Sequence, residues 1–139
     1  MAATNAANIL YTLTQASMKL RESMELLETT LNSITDARRR LEIAYNVGSQ
    51  AENSDRSVHA FVAYSVAIKT GNGPIAYGLP TDNARLLNQS IIGFEKVDVK
   101  LLEKERVLRN QGKNIEADEI SELRELYRPP EGFLPKHQE

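Results

Sequence analysis

Two histidines, a run of carboxylates, a glycine-rich loop and a trio of arginines are the places where this sequence could do chemistry. His59 sits within the apolar stretch "RSVHAFVAYSVAIKTG" and His137 lies near the end of the chain. Neither has a second group at the spacing of a metal site or of a nucleophile and its base, so His59 reads as a structural residue. The carboxylates of "EADEISELRE", Glu116 to Glu125, are numerous enough for acid-base or metal work. They fall between apolar positions, however, and therefore on the exposed side of a short helix, with Glu116 near its start and Arg124 and Arg128 near its end to match the helix dipole.

The loop "KTGNGPIAYGLP" places glycines at 71, 73 and 78, and backbone amides in such loops can hold phosphate. It lacks the Lys-Ser/Thr ending and the GxGxxG spacing of nucleotide loops. Its apolar members Ile75, Tyr77 and Leu79 make it a contact loop instead. "DARRRLE" is the one basic cluster, with Arg38, Arg39 and Arg40 as possible phosphate contacts. Consecutive helical arginines spread over about 200° of arc and cannot all enter one groove. Asp36 and Glu42 are placed to pair with them, and Arg38 falls where it stays dry only if a carboxylate meets it.

Composition narrows the classes further. A 139-residue chain is one ordinary domain by size and can bury a core unaided. With no cysteine it has no disulfide framework, no thiolate nucleophile and no sulfur-type zinc site. The formal net charge of -2 gives no global field toward nucleic acid or an anionic membrane. The start, "MAATNAANILYTLTQASMKL", has no basic stretch followed by a sustained apolar core, so a signal peptide is not expected. No apolar run approaches the roughly 20 residues of a membrane span. The expectation is a soluble protein, cytoplasmic or within an assembled particle, with no cofactor or metal.

Apolar spacing predicts an all-α protein: a long first helix and three further helices in an elongated antiparallel bundle. The helices are expected over 3–47, 56–70, 82–110 and 114–127, forming a single domain 1–128 with an extended tail 129–139. The first helix carries an apolar residue at every seventh position, Leu13, Leu20, Leu27, Ile34 and Leu41. Its punctuation arrives at Gly48. The alternative is a break within "TTLNSITD", with Ser33 or Thr35 capping a new helix. The segment "AFVAYSVAI" has the residues of a strand but nothing to pair with, so helix is preferred. Between Ser57 and Phe94 only Lys69, Asp82 and Arg85 are charged, the mark of an enclosed segment. In the last two helices Gly93 marks a kink or close contact, Gly112 a helix end, and Ile115, Ile120, Leu123 and Tyr127 an inward face.

A helix over 3–47 measures about 65 Å, whereas a compact domain of this size is about 35 to 40 Å across. The apolar seam therefore calls for another chain. Leu10, Leu13, Leu20, Met24 and Leu27, with Ile75, Tyr77 and Leu79 from the loop, are the expected interface to further copies or to a helical partner. The function that follows is a non-enzymatic helical protein of an assembly: a virion, filament or secretion-apparatus subunit, or an adaptor. Two alternatives stand beside it, a nucleic-acid-coating protein using Arg38 to Arg40 and a helical bundle that binds a small ligand.

Overall fold

The structure, a computed structural model, describes residues 8–9, 19–75 and 80–134. Among them are five α-helices and no strand. These are α1 (Leu20–Asn32), α2 (Ala37–Asn53), α3 (Ser57–Gly71), α4 (Pro80–Asn110) and α5 (Asn114–Tyr127), followed by a 3-10 turn at Glu131–Phe133.

The fold is organised around α3. Val58, Ala60 through Ile68 and Thr70 are all buried, so the helix is apolar on every side and has to be enclosed. α2 lies along it most extensively, α4 next, and α1 and α5 close the remaining sides. Phe61 of α3 meets Phe94 of α4 in a tilted pair with centroids 4.7 Å apart, and Ser65 donates to the carbonyl of Tyr127 at the end of α5. Thus even the few polar atoms of α3 are matched as they are buried.

The continuous first helix is not found. From Leu20 onward the chain breaks at Ser33–Asp36 and starts again at Ala37. Ser33 turns its hydroxyl back to the Thr30 carbonyl at 2.6 Å, and Asp36 caps α2 by accepting from the Arg38 amide at 3.1 Å. The cap is Asp36 itself, neither Ser33 nor Thr35. Arg40 then ties the turn down, donating to the Ile34 carbonyl at 2.7 Å and to the Thr70 hydroxyl at 3.1 Å. The sevenfold spacing runs through the break because Ile34, although outside both helices, still packs against the core.

With the break, α1 can fold onto α3. Met24, Leu27 and Leu31 are fully buried inside the chain, and Leu20 is half-buried against the same core. The seam over α1 is therefore closed by the chain's own helices, which corrects the expectation that Met24 and Leu27 face another molecule. Apart from residues 8 and 9, the part of the expected rod before Lys19, including Leu10 and Leu13, lies outside the described residues.

Gly48 does not end a helix; α2 continues to Asn53. Its stop is a turn in which the Arg56 amide reaches the Ala51 carbonyl at 2.8 Å and the Asp55 amide reaches Glu52 at 3.1 Å. This is the bonding pattern of a Schellman motif, and Asp55 occupies its left-handed position with φ 60°. α4 ends in the same way: Lys113 bonds Leu108 at 2.8 Å, Gly112 bonds Arg109 at 3.0 Å, and Gly112 has φ 78°. Aspartate tolerates that conformation less well than glycine, which is why one stop is visible in the sequence and the other is hidden.

The glycine at 48 has another use. A Cβ there would sit 2.6 Å from the Tyr64 ring, and one at Gly93 of α4 would sit 2.5 Å from the same ring on its other edge. The two glycines form a slot in which the Tyr64 ring lies between α2 and α4.

Two stability outcomes follow. Gly93→Ala should cost about 1–3 kcal/mol by overpacking, and clearly less in a Tyr64→Leu background; equal costs in urea denaturation of both backgrounds would show that the ring is not what the glycine accommodates. Asp55→Gly should raise stability, by up to about 1 kcal/mol, and a loss on the same measurement would contradict the assignment of Asp55 as the left-handed residue of the turn.

Candidate functional site

The Tyr64 slot opens onto a polar cleft of about 280 Å³ between α2, α3 and α4. Tyr45, Ser49, Glu52, Gln89, Ile92 and Lys96 surround it. Tyr64 donates its hydroxyl to Glu52 Oε1 at 2.7 Å. Burial, then that carboxylate, push the phenol well above its ordinary value, so it remains a hydrogen-bond donor at any physiological pH. Such a group does not serve as a proton-transfer base near neutrality. What the arrangement does is join α2 to α3 beneath a shallow cleft.

His59 supplies the second arrangement of reactive types. Its Nε2 lies 3.3 Å from Ser23 Oγ, linking α3 to α1. The ring is half-buried, and its pKa is lowered first by desolvation and then by the nearby Arg56 charge. A serine beside a neutral histidine is the beginning of a nucleophilic pair. Yet Ser23 is itself buried, and the bond recorded for the ring among the described residues is to that serine and not to a carboxylate that would orient it as a base. The geometry is that of an interhelical polar contact.

The carboxylate-rich helix α5 carries an open groove of about 790 Å³ on its outer side. Ile115, Leu123 and Leu126 provide its apolar part, Asp118, Glu119, Glu122 and Glu125 its acidic part, and Lys19 and Arg21 its basic edge. Ile115 is 87% exposed, which corrects its expected inward position; Ala117 takes the buried place one turn before Ile120. Among the described residues no cluster of His, Asp and Glu is arranged to hold a metal ion, and no helix is long and apolar enough to cross a membrane.

The inner side of α5 is held to α4 by a chain of ion pairs. Asp98 accepts from Arg124 at 2.9 Å and from Arg128 at 2.7 Å, and Glu105 joins Arg124 at 3.4 Å and Arg109 at 3.2 Å. Arg109 also reaches Asp118 at 2.9 Å. Arg128 further stacks its guanidinium over Phe61 and Phe94, 5.9 and 5.6 Å from the ring centroids. Arg124 and Arg128 therefore serve interhelical pairing rather than the dipole of their own helix alone.

The arginine trio is divided in the same manner. Arg38 pairs with Glu42 at 3.3 Å, the carboxylate its seam position demanded, and Arg40 is bound to Ile34 and Thr70. Arg39 is the exposed member. A phosphate contact by all three would have to break two internal attachments. Of the loop residues, Ile75 is half-buried against the core, while Tyr77 and Leu79 lie outside the described residues.

What the sequence reading missed is the outer face of α4. Ile92 is 55%, Val99 68% and Leu102 54% exposed, on the opposite side of the helix from buried Phe94, Val97 and Leu101. The sevenfold step from Ile92 to Val99 was a signal, but it was concealed by the stronger sevenfold series of the inner face.

Because folding lowers the His59 pKa, the unfolded chain binds that proton more readily. Its contribution to stability is whole above the unfolded value of 6.5 and is lost as pH falls through the lowered one. The stability advantage of the wild type over His59→Gln, followed by thermal melting from about pH 8 to about pH 5, should shrink toward the acid end; a constant gap would rule out titration of this ring. Compared with models of protein families, with curated proteins and with solved structures, the chain matches none.

Proposed function

We propose that this chain is a non-enzymatic helical protein that works by packing against other protein, as a subunit or adaptor of a larger assembly. The observation that carries the reading is the two-faced character of α4. A helix of 31 residues buries one side in its own core and presents Ile92, Val99 and Leu102 along the other. Single exposed apolar side chains are ordinary on a protein surface, but a row aligned along a long helix is the form in which helices recognise helices.

Two further observations support it. Two of the reactive pairs among the described residues serve as contacts between helices, Tyr64 with Glu52 and His59 with Ser23, and this supports a packing role for them over a catalytic one. The internal pairing of Arg38 and Arg40 favours protein over nucleic acid as the partner, since phosphate would compete with bonds already made. A virion or filament subunit, a secretion-apparatus component and an adaptor are all assemblies of this kind.

The test is a pair of substitutions on the outer face, Val99→Glu and Leu102→Glu. Both positions are exposed, so the melting behaviour of the purified chain should change by no more than about 0.5 kcal/mol. In extracts of its source cells the tagged wild type should sediment well above its own mass and the variants should not. A wild-type chain that sediments there as a free monomer would end the proposal.

A further inference from the structure

We infer that the groove between α1 and α5 is a docking site for a basic amphipathic helix of another protein. This surface is separate from the outer row of α4, and the inference does not rest on that row. α1 and α5 each pack on α3 but scarcely on each other. The groove of about 790 Å³ lies where they part, with Lys19 and Arg21 at the start of α1 on one side and α5 on the other.

The α5 wall carries an ordered stripe. Ile115, Glu119, Glu122 and Leu126 follow one another at steps of four, three and four residues, which keeps them on one side of the helix. Ile115 is 87% and Leu126 53% exposed, and they stand about 16 Å apart along the axis. Two apolar anchors three turns apart, with two carboxylates between them, match a helix better than a small cation, which would use only the charges.

Charge decides what kind of helix. Asp118 is held by Arg109 at 2.9 Å and Arg21 by Glu25 at 3.7 Å. Among the described residues the side chains of Glu119, Glu122 and Glu125 have no such partner, and of the groove's cations only Lys19 is equally open. Three open carboxylates against one ammonium leave the site acidic, so the complementary helix is basic.

That helix would carry apolar, basic, basic and apolar residues at the same steps of four, three and four, a pattern that reads alike in either direction. No segment of this chain has it. Residues 1–18 contain no charged side chain and the tail 129–139 a single lysine, Lys136. Pairing the stripe with its own kind brings two acidic faces together whichever way the copies run. The chemistry therefore points away from the chain's own ends and from a second copy.

The probe is a fluorescein-labelled, alanine-based peptide of about 16 residues with leucine, lysine, lysine and leucine at those steps. Followed by anisotropy against the full chain, it should bind saturably with Kd of about 1–100 µM, since the stripe is smaller than the roughly 800 Å² per partner of a stable complex. Binding should weaken as salt is raised. A peptide of the same composition with its lysines moved to the opposite face should bind at least roughly tenfold more weakly. Ile115→Ser with Leu126→Ser should weaken binding several-fold, and Val99→Glu should leave it unchanged. Glu119→Lys with Glu122→Lys in one chain should lose the lysine peptide and gain the same peptide with glutamates in place of its lysines, a gain that also shows the variant to be folded.

No saturation at millimolar chain overturns the inference. So does equal binding of the rearranged peptide, which would reveal mere attraction of opposite charges, or failure of the charge exchange to transfer the preference. If the peptide fails while the Val99→Glu and Leu102→Glu variants still lose their large complex in extracts, the packing role of α4 stands and only this groove falls.

Discussion

The enclosure of α3 is the constraint on which the rest of the structure depends. A helix with apolar side chains around its whole circumference leaves no side that water can accept. It therefore needs cover from several directions at once, and the neighbouring helices are arranged to give it. α2 and α4 take the broadest contacts, while α1 and α5 fill the remaining angles. The break at Ser33–Asp36 is a consequence of the same demand, since a straight rod could not place both Met24 and Val47 against one central helix.

Close packing around that helix explains residues whose types look unfavourable where they stand. Glycine inside a helix lowers its stability by about 1 kcal/mol relative to alanine, yet Gly48 and Gly93 both lie within helices. Each is matched to the Tyr64 ring, and with any side chain in their place the ring would have to move. Tyr64 in turn carries its hydroxyl to Glu52 at the rim, so the aromatic body is buried while its polar end is satisfied. Arg128 performs a similar double task, covering Phe61 and Phe94 and pairing with Asp98. Polar groups at the margins of the core act here as clasps between helices.

Those clasps account for most of the groups that might otherwise suggest chemistry. Ser23 and His59 join α1 to α3, Arg40 joins the first turn to the end of α3, and the Arg124 and Arg128 pairs join α5 to α4. Among the described residues the exposed large apolar side chains include the outer row of α4, and Ile115 and Leu126 on α5.

The sequence by itself determined the helical character of the chain, the enclosed nature of the segment from Ser57 onward and the stop at Gly112. These depend on local periodicity, on composition and on a conformation that glycine adopts without strain. The Asp36 cap and the Asp55 turn were written there too, but in residues that many other local structures also use. Tertiary structure alone decided which faces were covered: that Met24 and Leu27 close on α3, that Gly48 faces a ring instead of ending a helix, that Ile115 points outward, and that α4 keeps a second apolar row in water. Spacing along one helix fixes which side chains share a face, but whether that face is buried depends on neighbours far away in the chain. Their positions follow only from how all the helices share the space around α3.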